Sequence, residues 1–292
     1  MIYDIRQTTD CTYASSVAHA HHVLRLTPIN RPGQRVQVSS LRIEPEPVHW
    51  REGQDFFGNR LTWIAIEEAH ETLTVKMSAR IAVEKFAVPA VADTPSWEAV
   101  QEEVFASTAI GPTAPSHFLF PSRMVSLDPE IRDYARASFP SGRSLFEGAR
   151  ELMRRIKTDM VYDTAATTVT TTPPMSFALR RGVCQDFAHI MISGLRGLGL
   201  SAAYVSGYLR TNHPPGAARL QGADATHAWV LVWCGAAIGW VGFDPTNDLI
   251  ASDEHIVLAV GRDYTDVAPM DGVIVAHGGQ HIDVSVNVIP VG

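Results

Sequence analysis

Gly182-Val183-Cys184-Gln185-Asp186-Phe187-Ala188-His189 is the stretch on which the reading of this chain turns. Arg180-Arg181-Gly182 reads as the end of one short helix and a turn. After it, Cys184, Phe187, Ala188, Met191, Ile192, Leu195 and Leu198 recur at helical spacing, so a helix begins at or near Cys184 with an apolar face to bury. The unpaired N–H groups and positive dipole end of that helix then point at the sulfur. A helix N-terminus and a neighbouring imidazolium both favour the thiolate, the nucleophilic form of cysteine. Cys184 is placed like a nucleophile.

Two later pieces answer to it, Thr226-His227-Ala228-Trp229 and Gly242-Phe243-Asp244-Pro245-Thr246-Asn247. His227 precedes the apolar and aromatic run Ala228–Trp233, which reads as a buried strand. Asp244 follows Gly239–Phe243, a second short strand reached through a turn around Gly235. Strands joined by a tight turn are antiparallel neighbours, so a histidine at the start of one and an aspartate at the end of the next share one end of the sheet. A helix packed on that sheet can hold Cys184 against His227, with Asp244 orienting the ring. That is the cysteine–histidine–acid arrangement of acyl-transfer enzymes. Taken singly, each residue has a plainer reading: a packed thiol, a hydrogen-bonded strand histidine, an aspartate that starts a turn. The combination carries the assignment.

The run GVCQDFAH, followed by the AAYVSGYL strand, then DATHAWV, then GWVGFDPTN, resembles the bacterial transglutaminase-like superfamily, which has a papain-like fold. The similarity extends over about Leu145 to Val260. The N-terminal part resembles the β-rich domain that often precedes this core, through Asp55-Phe56-Phe57-Gly58-Asn59 and the hydrophobic strands around it. The resemblance implies Cys184 as nucleophile, His227 as general base and acid, and Asp244 as the residue orienting His227. It implies an α+β protein, an N-terminal β-sandwich followed by a papain-like transglutaminase core.

At 292 residues the chain has room for two modest domains or one large one. A net charge of −7, with no local run of Lys and Arg, argues against a nucleic-acid partner. The start Met1-Ile2-Tyr3-Asp4-Ile5-Arg6 lacks the apolar segment of a secretory signal. No stretch approaches the ~18 uninterrupted apolar residues of a membrane span. A cytoplasmic address and no membrane partner are the expectations, provided the chain is the complete translation product. Three cysteines, Cys11, Cys184 and Cys234, are too few and too scattered for a disulfide framework or a metal cluster. Cys234 closes a buried-looking strand and reads as a small hydrophobe.

Residues 1 to about 84 read as short strands separated by turns at Asn30-Arg31-Pro32-Gly33, Glu44-Pro45-Glu46-Pro47 and Phe57-Gly58-Asn59, which suggests a β-sandwich. Such a block can pack on the catalytic domain, form a homo-oligomer or present substrate, and the sequence does not choose. His19 and His21 share a strand face, but no third ligand accompanies them, so no metal is assigned. Prolines break up Phe86–Ser144, with helices expected at Trp97–Phe105 and Pro129–Ala137. The boundary falls near residue 105, giving 1–105 as the β-rich domain with the start of a connector and 106–292 as the catalytic domain. Ser144 and Glu147 have capping-box spacing. Thr164–Thr172 reads as a loop or edge strand. The loop Thr211–Asp224, just before His227, is the candidate substrate-facing lid. Ile256–Val260, Val273–Ala276 and Ile282–Val288 supply further strands. No phosphate loop, cofactor fingerprint or acidic calcium loop is found, so no cofactor is expected.

Beside Cys184, Asp186 is expected to serve the first helical turn and point away from the sulfur. His189 reads as a packing residue, and Asn247 and Asp248 as holders of the Asp244 turn. The chemistry implied is acyl transfer on a peptide or protein substrate through a Cys184 thioester. Water as acceptor makes a protease or amidase, and an amine makes a transglutaminase or acyltransferase. Relatives of this two-domain type are usually described as cysteine proteases, which tilts the expectation to hydrolysis. A non-catalytic binding module on the same fold is the rival.

Overall fold

The computed structural model describes residues 1–90, 94–210 and 225–291. The first strand, β1 (Ile2–Val17), buries alternate side chains, Tyr3, Ile5, Gln7, Thr9, Cys11 and Tyr13. That is the period of a strand with one face on a core. Around it lie β2 (His19–Leu24), β3 (Gln34–Glu44), β4 (His49–Gln54), β5 (Arg60–Ile66) and β6 (His70–Val83). Two strands from the far end of the chain, β14 (Met270–Val275) and β15 (Gln280–Pro290), complete two four-stranded antiparallel sheets. Their orders are β15-β1-β6-β3 and β14-β2-β5-β4. Cys11, Val17, Leu73 and Val75 of one sheet share a core with Ala20, Leu24, Ile64 and Ile66 of the other, which makes the pair a β-sandwich. On β2, His19 and His21 face outward and His22 inward.

The C-terminal strands, expected to go with the second region, thus pair into the sheets of the first. β15 runs along β1 from Tyr3 to Tyr13, and β14 along β2 from His19 to Leu24. Without them β1 and β2 would present open rows of N–H and C=O groups, which sheets tend to cover.

The second region is a five-stranded antiparallel sheet with helices on it. Its strands are β9 (Ala202–Leu209), β10 (Ala225–Trp233), β11 (Trp240–Asp244), β12 (Leu249–Ile250) and β13 (His255–Gly261), in the order β12-β11-β10-β9-β13. The helices are α1 (Trp97–Ala106), α2 (Pro129–Arg136), α3 (Leu145–Asp159), α4 (Pro173–Leu179), α5 (Cys184–Gly197) and α6 (Tyr264–Val267). Asp128 caps α2 by accepting from the N–H groups of Glu130 and Ile131, and Ser144 caps α3 by accepting from Glu147 N. Every residue of α5 from Gln185 to Arg196 is buried, because α2, α3 and α4 as well as β9 and β10 pack against it. At Gly194 an added Cβ would lie 2.8 Å from the Cβ of Ala135, so the small pair lets α5 and α2 approach closely.

Two side-chain amides of the sandwich finish the free edge of β13. Gln34 donates to Val257 O and accepts from Val257 N, each at 2.8 Å. Asn59 does the same with Val260, also at 2.8 Å both ways. They stand where a sixth strand would pair. Among the described residues no helix is long and apolar enough to cross a membrane. The segment Thr211–Asp224, read from sequence as a lid, lies outside the described residues.

Candidate active site

Cys184 is the first residue of α5 and is half-buried. The turn before it is made by α4, which ends at Arg180 in the left-handed region (φ 54°), and by a two-residue parallel pairing of β7 (Val161–Tyr162) with β8 (Arg181–Gly182). Asp186 closes the turn from the other side: its Oδ2 accepts from Val183 N at 2.8 Å and from the Thr167 hydroxyl at 2.7 Å. A Cβ on Gly182 would lie 2.5 Å from that Oδ2, so glycine is required there. Burial pushes the Asp186 carboxyl up, and the bonds from Val183 and Thr167 offset part of the rise. Gln185 Nε2 donates to Val169 O at 3.0 Å. Asp186 and Gln185 therefore dock the threonine-rich segment onto the first turn of α5.

His227 is the third residue of β10, opposite Gly207 of β9, and is 9% exposed. Its Nε2 donates to Asp244 Oδ2 at 2.8 Å, from the end of the neighbouring β11. Nδ1 is then the nitrogen left to serve the Cys184 sulfur, which lies close enough to act on the charge of the ring. Burial alone would lower the pKa of this histidine, but bonding and charge from Asp244 and Cys184 outweigh it and push it up to about 10. The ring also runs nearly parallel to Trp229, 6.1 Å between centroids.

Asp244 is wholly buried. Its Oδ1 accepts from Thr246 N at 3.0 Å and Asn247 N at 3.2 Å. Its Oδ2 accepts from His227, from Asn247 Nδ2 at 2.8 Å, and from His255 Nε2 at 3.2 Å. Burial alone would raise the carboxyl, but these donors, His227 first, hold it well below the usual carboxylate range. Asn247 thus holds the Asp244 turn, and Asp248 follows it in the left-handed region (φ 56°).

The other residues weighed from sequence fall as follows. His189 is buried against Tyr204, with Nε2 accepting from Tyr264 N at 3.2 Å, and burial pushes its pKa down to about 4. Cys11 and Cys234 are buried, and burial pushes the Cys11 thiol up to about 11. Two neighbours of the site escaped the sequence reading. His255 stands on β13, two strands from His227, where only the sheet order brings it to Asp244. Tyr162 lies beside Gly182 through the short β7–β8 pairing; burial, and then proximity to Cys184, raise its phenol. No periodicity marks either.

Ligand atoms of His227, Asp244 and His255 lie within 4.8 Å of one another, a spacing a metal could bridge. The hydrogen bonding speaks for a different use. Ser252 N donates to His255 Nδ1 at 3.4 Å, which leaves the ring proton on Nε2, aimed at Asp244, where a metal would need a lone pair.

Comparison with known proteins fits this geometry. Residues 3–82 match the bacterial transglutaminase-like N-terminal region, and residues 132–245 match the transglutaminase-like superfamily core. An uncharacterized protein of Mycobacterium tuberculosis is 36% identical over 99% of this chain and 92% of its own length. One from Mycobacterium leprae is 31% identical over 96% of each. A crystal structure from Cytophaga hutchinsonii, provisionally described as a cysteine protease, superposes with a TM-score of 0.73 at 21% identity, covering 100% of this chain and 92% of that one. The chain belongs to the bacterial transglutaminase-like superfamily, a family of papain-like cysteine enzymes, with the family's N-terminal β region joined to its core.

Proposed function

We propose that this protein is a cysteine-dependent acyl-transfer enzyme that hydrolyses an amide bond of a peptide or isopeptide through a thioester on Cys184. The observation that supports it most directly is the placement of His227 between the wholly buried Asp244 and the sulfur at the N-terminus of α5. A ring kept charged by that carboxylate favours the thiolate beside it. The thiolate attacks the amide carbonyl, and the new C–S bond leaves an oxyanion facing the backbone N–H of Cys184 at the helix start. His227 gives its proton to the departing amine as the C–N bond breaks, leaving a thioester. It then takes a proton from water, which attacks the thioester; the C–S bond breaks, the acid is released and the thiolate–imidazolium pair is restored. An amine in place of water would transfer the acyl group instead.

The test is iodoacetamide labelling of the native protein, read by mass spectrometry at each cysteine. Cys184 should label selectively at neutral pH, because Cys11 and Cys234 are buried and burial raises both thiols. His227→Ala should slow the labelling, and Cys184→Ala should fold yet turn over no amide substrate, with or without added amine. Labelling of Cys184 no faster than the other two, or amide turnover by the alanine variant, would reject the assignment.

A further inference from the structure

We propose that His255 is a positioning residue of this site: its Nε2–H donates to Asp244 Oδ2 and fixes the carboxylate in the orientation that His227 uses. The inference rests on the acyl-transfer reading of Cys184 and His227. His255 and Asp244 meet at 3.2 Å, with side chains 4% and 0% exposed, so water does not compete for the contact. The proton is on the right nitrogen, since Nδ1 faces the N–H of Ser252.

What distinguishes this bond is where its donor comes from. Thr246 N, Asn247 N and Asn247 Nδ2 all belong to the turn that follows Asp244, so they move with the carboxylate they hold. His227 is the group to be oriented. His255 supplies a donor from outside that turn, on β13 at the opposite edge of the sheet. Between β13 and β10, β9 carries Gly207, opposite His227 on one side and Val257, two residues after His255, on the other. A Cβ on Gly207 would lie 2.6 Å from the Trp229 ring. Trp229 occupies that space instead, parallel to His227 and edge-on to His255 at 5.2 Å. The strand bearing His255 is itself fixed, through Val257 and Val260, by Gln34 and Asn59 of the sandwich. The carboxylate is thereby tied to a part of the molecule that its own turn does not reach.

Two variants separate the donor from the ring. His255→Phe keeps an aromatic ring against Trp229 and removes the donor; His255→Gln removes the ring and keeps an N–H. The readout is the rate of Cys184 alkylation by iodoacetamide against pH, with thermal unfolding as the check on folding. The Phe variant should label about tenfold more slowly at neutral pH, the scale of one charge-assisted hydrogen bond. Its acid limb should move to higher pH, because Asp244, faced by His227 and His255 as its titratable neighbours, keeps only one of them. The Gln variant should stay close to the parent in rate and limb. A Phe variant with the parent's rate and limb, or a Gln variant as slow as Phe, overturns the role. Should the Phe variant fail to fold, nitrogen-15 spectra of histidine-labelled parent decide: the Nε2–H tautomer is expected at His255, and Nδ1–H overturns the proposal. Slow, unselective labelling of the parent itself would sink the acyl-transfer reading and this role with it; a normal parent with an unaffected Phe variant sinks the role alone.

Discussion

Asp244→Asn changes one oxygen for an NH2 group at the point where five donors converge. With the amide oxygen in the place of Oδ2, the new NH2 faces Thr246 N and Asn247 N; the buried Thr246 N loses its acceptor, while Asn247 N keeps its bond to the Asp244 backbone oxygen at 3.3 Å. With the amide turned over, NH2 meets His227, His255 and Asn247 Nδ2 instead. The first arrangement conflicts with fewer donors. Leaving that buried donor unpaired costs about 2 kcal/mol, before any loss from the missing charge. Urea unfolding at neutral pH, compared with the parent, measures this directly. The pH dependence adds a second, independent signature. His227 has its pKa raised from 6.5 to about 10, so the stability it confers is full below 6.5 and is lost as pH rises through about 10. Asp244 is depressed from 3.8, so its contribution is present above that value and is lost as pH falls toward its folded value. The parent should therefore be most stable between these limbs. The Asn variant should lose the Asp244 part of the acid limb and show a shallower alkaline one. Its Cys184 should react more slowly than the parent's, yet its activity should fall less than that of Cys184→Ala or His227→Ala, since the ring remains beside the sulfur. A stability loss under about 1 kcal/mol with an unchanged alkaline limb would refute the view of Asp244 as a buried, ionised acceptor.

Two further substitutions probe what holds the site. Asn59→Leu removes both bonds to Val260 and one to Asp55 at a fully buried position, leaving the N–H and C=O of Val260 without partners. It should cost about 3 kcal/mol in urea unfolding, and a cost under about 1 kcal/mol would mean that β13 does not depend on the sandwich. Gly207→Ala would put a methyl group 2.1 Å from the backbone oxygen of Ile256, which cannot step aside as a side chain would. It should cost about 3 kcal/mol and slow Cys184 labelling, and a variant as stable and as reactive as the parent would show that β13 yields freely.

How far the sequence could be read follows from the range of the interactions involved. The start of α5 at Cys184, the antiparallel β10–β11 pair and the common end of the sheet for His227 and Asp244 all rest on contacts between near neighbours in the chain. Periodicity and a tight turn report such contacts. The sandwich strands were legible for the same reason, since β1 buries every second residue. What stayed hidden depends on register between distant segments. Nothing in the alternation of Ile282–Val288 says that its partner is β1, at the other end of the chain. Likewise, His255 opens a strand whose sequence is ordinary, and its meaning comes from β13 lying next to β9, the neighbour of the strand that carries His227.

The same distinction bears on what the N-terminal region does. The sequence left it free to pack, to pair with a second copy or to present substrate. In the structure it reaches β13 through Gln34 and Asn59, and each amide meets both the N–H and the C=O of a single backbone residue. Amides used this way satisfy backbone groups that would otherwise each cost ~1–3 kcal/mol when shut off from water, so the edge of the sheet that carries His227 depends on them. The C-terminal strands then return from β13 to cover β1 and β2. Chain continuity and hydrogen bonding thus fasten the sandwich to the strand that carries His255. Loosening that join should reach Cys184 by way of Asp244 and His227, well before it unfolds either sheet.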